Sequence, residues 1–545
     1  MKLIIKRLGG LTAACIVFVG LIGCESSPSK KPSPRTSNGY ATVLANNAGA
    51  IATVQPLATT AAENAFAAGG NAIDAALAAA FTLGVVDSHN SGIGGGCFIV
   101  ARLSDGRIIA LDGREMAPAA AHRDMYVVNG EVQSGLSKTG ALAAGIPGSV
   151  AALHQLQQMA GKLSFSDVLL PAADIAETGF AIDNTLALRL ERTADRLALF
   201  EASKAIYLHA DGTPLKPGEK LVQQDLANSY RELAKHGPDW FYQGAFADAV
   251  ARYMQEAGGI ITKDDFANYH VIEREPVKAS FKGFDVYGFG PPSSGGIHIA
   301  QMLNMIADDD LAEMDDAERY HLLIEVMKLA FADRAHWLGD ADFVNVPKGL
   351  IDSDYAKRLR ETITRGKAAG DVTHGMPPNA AKEFFYRALN KHTTHLTTAD
   401  SEGNWVAITT TINTSFGSKV VVPGTGVLLN NQMDHFVAAP KVANAFGLVG
   451  DEANAIAPGT RPLSSMSPTL VVKNGEPVLT LGAAGGPTII TQVVQGLVNY
   501  LALHKPLEQA IDTPRVHHQW QPNKVFTEIK DESLLKALTL SLIHI

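Results

Sequence analysis

Apolar positions along the chain fall into blocks of different period, and the period predicts the elements. Residues 57–68 and 72–83 are dense in alanine and leucine, the first stopped by Gly69-Gly70 and the second by Gly84. Alanine favours helix and glycine favours helix ends, so both blocks predict helices. Residues 98–103 and 107–111 are apolar runs separated by Ser104-Asp105-Gly106, which predicts strand, turn and strand. The spacing then becomes helical, most clearly over 317–337, where Leu322, Val326, Leu329 and Ala330 recur at i, i+4, i+7 and i+8. From about His395 the runs shorten and become β-branched. Residues 396–399, 405–412, 419–422, 427–429, 469–472 and 477–481, punctuated by Gly, Asn and Pro, predict a sheet. Helices outside that sheet give a layered α+β architecture, and no internal repeat is visible.

The N-terminus has a pattern of its own. Lys2, Lys6 and Arg7 precede an apolar run over 11–21, the length of a signal-peptide core and too short to span a bilayer. It ends in Leu21-Ile22-Gly23-Cys24, which resembles the bacterial lipobox, whose cleavage leaves a lipid-modified cysteine first. Residues 1–23 are therefore expected to be a lipoprotein signal peptide. Residues 24–39, rich in Ser, Pro and Lys, are expected to be a flexible tether. The chain is expected in the cell envelope on the periplasmic side, held to a membrane only through Cys24. With Cys15 removed and Cys24 acylated, Cys97 is the only remaining thiol; between GGG and Phe98-Ile99-Val100 it reads as a small buried residue. The last six residues, 540–545, follow a helix-like stretch at 532–538 without turn or cap logic. They match a translated sequencing adapter, so they are expected to be foreign to the fold and the small subunit to be truncated there.

Composition narrows the chemistry. The chain has 545 residues, 46% hydrophobic and 19% charged, enough for more than one ordinary domain. A formal net charge of −9 without a long Lys/Arg run leaves no footprint for nucleic acid, which points to a small-molecule or peptide substrate. The glycines cluster in GIGGGC, PPSSGG and GAAGGP, a distribution that predicts tight backbone turns in functional loops. His392-x-x-His395 and His517-His518 bring no third ligand at a supporting spacing, so no metal and no cofactor is expected.

By pattern alone, Thr393 is a threonine at a strand edge. Its surroundings say more. The run TTHLTTADSEGNWVAITTTINTSFGS, then GTGVLLNNQMDHF, RPLSSMSPTLVV and LGAAGGP, resembles the gamma-glutamyltransferase family of N-terminal nucleophile hydrolases. LDGREMAP, GPPSSGGIHIAQMLN, ADRAHWLGDADF and PRVHHQW extend the resemblance across the chain after the tether. It implies an αββα sandwich built from two subunits of one self-cleaved precursor, a large one over 40–392 and a small catalytic one over 393–545. Cleavage between His392 and Thr393 would free the α-amine of Thr393, whose pKa of about 7.7 to 8.0 suits it to take the hydroxyl proton.

The resemblance also assigns the remaining site. Gly485 and Gly486 match the oxyanion donors, and Thr411 and Asn413 match residues that support the nucleophile and hold the substrate. Arg114, Ser464 and Ser465 match the groups that bind the donor's α-carboxylate, and Gln432 matches an acceptor for its ammonium. The partners implied are a glutathione-like gamma-glutamyl substrate and water or an amine or peptide acceptor. Two departures stand out. The family's second aspartate after NNxM is His435 here, leaving Asp434 alone, and a gating tyrosine of relatives is Phe446 in a lid-like loop over 440–450. A neutral imidazole accepts one hydrogen bond but forfeits the charge pairing. A glutaryl-type amidase of the cephalosporin-acylase kind therefore stays open beside the glutamyl reading. A catalytically dead ligand-binding lipoprotein is disfavoured by the intact Thr393, Thr411, Asn413, Gly485 and Gly486.

Overall fold

The computed structural model describes residues 35–37, 39–45, 48–379, 393–437, 445, 448 and 452–541. The signal and tether positions up to 34, Cys24 among them, and His392 and Phe446 lie outside the described residues.

Helix α1 (Pro56–Ala67) begins where Pro56 supplies a preset φ and the Gln55 side chain accepts the Leu57 N–H. Helix α2 (Ala72–Val86) opens on a capping box between Asn71 and Asp74. The stop expected at Gly84 does not occur; the helix continues to a cap at Asp87. Gly84 serves packing instead, because a Cβ there would stand 2.6 Å from the Tyr230 hydroxyl and 3.1 Å from Gly92 Cα. Its missing side chain lets the glycine loop after α2 close against the helix.

The principal strands are, in chain order, β1 (Arg35–Ser37), β2 (Ala41–Val43), β3 (Gly49–Ala52), β4 (Gly96–Arg102), β5 (Ile108–Gly113), β6 (Ile272–Arg274), β7 (Val277–Phe281), β8 (Phe284–Gly288), β9 (Thr394–Asp400), β10 (Trp405–Thr411), β11 (Thr469–Lys473) and β12 (Glu476–Leu481). They form two antiparallel sheets, β1-β2-β3-β9-β10-β4-β5-β6 and β7-β8-β11-β12. Strand alternation builds the layers. On β4, Cys97, Ile99 and Ala101 enter one core with α1 and α2, while Phe98 and Val100 enter a second core. That second core holds β8, β11 and the helices α3 (Gly295–Met305), α4 (Asp316–Trp337) and α5 (Thr488–Leu497). The order helix, sheet, sheet, helix is the expected αββα sandwich.

Strands from either side of position 393 interleave. β9 and β10 insert between β3 and β4, and β11 pairs with β8. A cut before Thr393 would leave both sheets held by hydrogen bonds between the two pieces.

Helix α4 has the expected bounds within one residue, but it is buried all round from His321 to Trp337 rather than along one stripe. Its charged Lys328 is accommodated by Glu325 at 2.6 Å. Residues 419–429 depart from expectation. They pair with each other only briefly, through the bridge Val421 to Leu428 and the bonds Leu429 N to Val420 O and Val422 N to Val427 O, instead of forming two full strands; the outward groups Lys419 O and Val421 N bond the Ser203 Oγ. At the C-terminus a helix runs Glu532–Ser541, two residues into the segment expected to be foreign. Cys97 is free and fully buried, as expected, and burial pushes its thiol above its ordinary range. No helix among the described residues is long and apolar enough to cross a membrane.

Candidate active site

Thr393 is buried at 6% exposure, immediately before β9. The β9–β10 register pairs Thr394 with Thr410, and continuing it by one residue sets Thr393 opposite Thr411. Successive strand residues face opposite ways, so Thr393 shares the face of His395. That face carries the glycine turn: a Cβ on Gly482 would lie 2.2 Å from the His395 ring. The turn continues to Gly485 and Gly486, at φ 126° and 57°, before α5. Among the described residues neither glycine N–H has a hydrogen-bond acceptor, so both remain available at the N-terminal end of a helix.

The far end of β10 organises the substrate side. Thr411 Oγ1 accepts the Asn413 N–H at 2.9 Å, and Asn413, held at φ 81°, donates through Nδ2 to Asn431 O at 2.8 Å. Asn413 Oδ1 is buried with no partner. Gln432, next along, is fully buried; its amide is near enough to Glu115 to favour that carboxylate, yet neither amide atom makes a hydrogen bond of ordinary geometry. Orphaned buried polar atoms are costly, and a polar ligand would satisfy them.

Arg114 follows β5 and is fully buried. Its Nε donates to Pro462 O at 2.9 Å, two residues before Ser464, and its Nη1 lies 3.4 Å from Glu115 Oε2. Glu115 packs against β4 at Gly96, the register partner of Thr411, where a Cβ would stand 2.4 Å from its Oε2. Burial lifts the Glu115 carboxyl to about 7. The Ser464 hydroxyl accepts from Met466 N at 3.1 Å, and the Ser465 hydroxyl accepts from Arg334 Nη2 at 3.1 Å. Arg114 is thus tied to the segment that leads into Ser464 and Ser465 through Pro462 O. Thr411 and Asn413 are joined directly beside the register position of Thr393, and Gln432, next to the Asn431 that Asn413 holds, reaches toward Glu115.

His435, the departure from the family pattern that the structure describes, and its neighbour Asp434 are both engaged by protein groups instead of standing open to an ammonium. His435 Nδ1 pairs with Arg114 Nη2. Burial, reinforced by Arg114 and Arg334, holds its pKa well below the ordinary value, so the ring is neutral and its Nδ1 lone pair accepts from the guanidinium. Asp434 turns away: it accepts from Ser137 Oγ at 2.7 Å and Ala445 N at 2.6 Å, and burial raises it to about 6.

Several participants lie in motifs that carry the resemblance but have no role assigned from the sequence. Arg334, in ADRAHW, is buried, donates to Ser294 and Ser465 hydroxyls, has no carboxylate partner among the described residues, and is lowered to about 9 by burial. Asn430 clamps Gly94 and Gly145, while Asn431 receives Thr414 N–H; the doubled asparagine of NNQMDHF was the available clue. Among the described residues no cluster of three or more His, Cys, Asp or Glu side chains could hold a metal. The histidines with metal-like spacing have protein partners instead, His395 with Thr409 and His517 with Thr491.

The Gamma-glutamyltranspeptidase family profile matches residues 58–541. The glutathione hydrolase proenzyme of Escherichia coli is 40% identical over 93% of this chain and 87% of its own length. That of Pseudomonas aeruginosa is 42% identical over 89% and 85%. Among solved structures, the cephalosporin acylase from Bacillus halodurans superposes with a TM-score of 0.81 at 27% identity, covering 95% of this chain and 91% of the acylase.

Proposed function

The chain belongs to the gamma-glutamyltranspeptidase family, and from that premise we propose that its precursor cuts itself between His392 and Thr393 and then transfers or hydrolyses gamma-glutamyl groups of glutathione-like amides. Thr393 Oγ attacks the acyl carbonyl while the α-amine freed by cleavage takes its proton. The tetrahedral oxyanion is received by the N–H groups of Gly485 and Gly486, a donor of this kind being worth about 3–4 kcal/mol. Collapse returns the proton to the leaving amine and leaves an acyl ester on Thr393. Water, or an acceptor amine, resolves that ester by the same route. Arg114, Ser464 and Ser465 hold the donor's carboxylate; Asn413 and Gln432 supply the remaining polar contacts.

The observation that carries this reading is the register that sets Thr393 opposite Thr411 on the face of the Gly482–Gly486 turn. The test is expression of wild type and Thr393→Ala. Wild type is expected as two fragments, the smaller with N-terminal Thr393, active on a gamma-glutamyl anilide; the variant is expected intact and inactive. A wild-type chain that stays whole when folded, or a variant that still cleaves, would overturn it.

The engagement of His435 by Arg114 favours a second reading, in which the acyl group is a glutaryl type that has the carboxylate but no ammonium. For anchoring, the lipobox-like LIGC supports acylation at Cys24 on the periplasmic side. Radiolabelled palmitate is expected in wild type and absent from Cys24→Ala.

A further inference from the structure

We propose that Asp87 is a positioning residue for the nucleophile, acting through the hydroxyl of Thr394 on the strand face opposite the substrate. This inference rests on the assignment of Thr393 as nucleophile. Asp87 caps α2, and its carboxylate accepts from Thr394 Oγ1 and from Asn90 Nδ2, the latter at 2.9 Å. Thr394 is fully buried and Asp87 nearly so. Because 393 and 394 face opposite ways, Asp87 does not touch the reacting atoms; what it fixes is the backbone one residue beyond them.

The same turn also holds the other half of the site. Asn90 O accepts Ile412 N–H at 3.0 Å and His89 O accepts Phe416 N–H at 2.9 Å, bracketing Asn413. One short segment therefore sets both the strand that begins at the nucleophile and the loop that meets the substrate. The need for it follows from the cut. Once the 392–393 bond is broken, nothing upstream in the chain restrains Thr393, and a strand end frays unless its first residues are tied down. Thr394 is the first residue of β9, and its buried hydroxyl ties that end of the strand to Asp87.

What the geometry requires of Asp87 is an acceptor. Burial raises its carboxyl to about 7, with Asp183 opposing and Arg189 favouring the charge from the helix Asn184–Leu197, and His89 Nδ1 lies 3.4 Å away. An asparagine Oδ1 can accept from Thr394 without any ionisation, so Asp87→Asn is the conservative replacement.

The experiment uses the full chain with Asp87→Asn, Asp87→Leu, Thr394→Ser and Thr394→Val, following cooperative melting, self-cleavage rate, and kcat and KM on an anilide donor. Asp87→Asn and Thr394→Ser are expected to keep kcat within about threefold, whereas Asp87→Leu and Thr394→Val lose about ten- to a hundred-fold in kcat, with KM nearly unchanged and slower self-cleavage. If Asp87→Leu fails to fold, Thr394→Val, which removes only the hydroxyl, decides. Wild-type kcat in a folded Thr394→Val, or an effect confined to KM, would overturn the proposal while leaving Thr393 as nucleophile intact. A wild-type chain that does not cleave before Thr393 removes both.

Discussion

Replacing His435 with aspartate separates the two acyl readings. The site has two buried guanidinium groups near position 435, Arg114 in contact and Arg334 acting through space, and the imidazole between them is neutral. A donor ammonium entering there meets no opposite charge from residue 435. An aspartate would supply one. Two unit charges about 4 Å apart at an effective dielectric near 20 interact by about 4 kcal/mol. Desolvating the new carboxylate and its attraction to Arg114 oppose this, leaving roughly 1.5–3 kcal/mol, or about ten- to a hundred-fold. The assay is kcat/KM in parallel on gamma-glutamyl and glutaryl anilides, which differ only in the α-amine. The ratio is expected to move toward the glutamyl donor by that factor, with the glutaryl value unchanged or lower. A ratio that moves less than about threefold, or equal losses on both donors because Arg114 sequesters the aspartate, would refute the reasoning.

Two further predictions concern stability. Glu115 has a folded pKa of about 7 against an ordinary 4.5, so the native state keeps a proton that the unfolded chain releases; its stabilising contribution is present below about 4.5 and lost as pH rises through 7. Buried His298, His395 and His518, each lowered to about 3, act in the opposite sense, so the measurement is the wild-type minus Glu115→Gln difference in unfolding free energy, made in the uncleaved Thr393→Ala background. That difference is expected to fall by roughly 3 kcal/mol between pH 4.5 and 7, and a flat difference would remove the raised carboxyl. Gly95 is the second case: a Cβ there would stand 2.1 Å from Thr411 O and 2.8 Å from Ile412 Cγ2. Gly95→Ala is expected to cost about 1–3 kcal/mol or more and to impair self-cleavage, while Gly135→Ala, which meets open space, changes neither; equal melting temperatures for the two would refute the close-approach argument.

Most elements were legible because their signals are local. The alanine-rich helical blocks of α1 and α2, the Ser104 to Gly106 turn and the β-branched runs of β9 and β10 depend on neighbours a few residues away, and the structure reproduces them. The errors arose where distant groups prevailed. Gly84 reads as a helix stop, yet Tyr230 and the Gly92 loop pack on it inside a continuing helix. Residues 419–429 read as two strands that would extend a sheet, yet they pair only with each other, and the side chain of distant Ser203 takes the outward groups of Lys419 and Val421. The candidate nucleophile and its flanking motifs were also readable, since TTHLTT, NNQMDH, SSMS and GAAGGP are contiguous.

What the sequence determined by itself is which residues are chemically equipped: a threonine followed by a strand, an arginine in DGRE, paired serines and a glycine turn, and a histidine where an aspartate was expected. What tertiary structure alone decided is how those groups are spent. His435 accepts from Arg114 instead of waiting for an ammonium, Asp434 is satisfied by Ser137 and Ala445, and Asp87 reaches Thr394 across 307 positions. The physical reason is that a hydrogen bond or a buried charge is set by whichever partners the packed layers deliver within about 3 Å, and separation along the chain does not determine those partners.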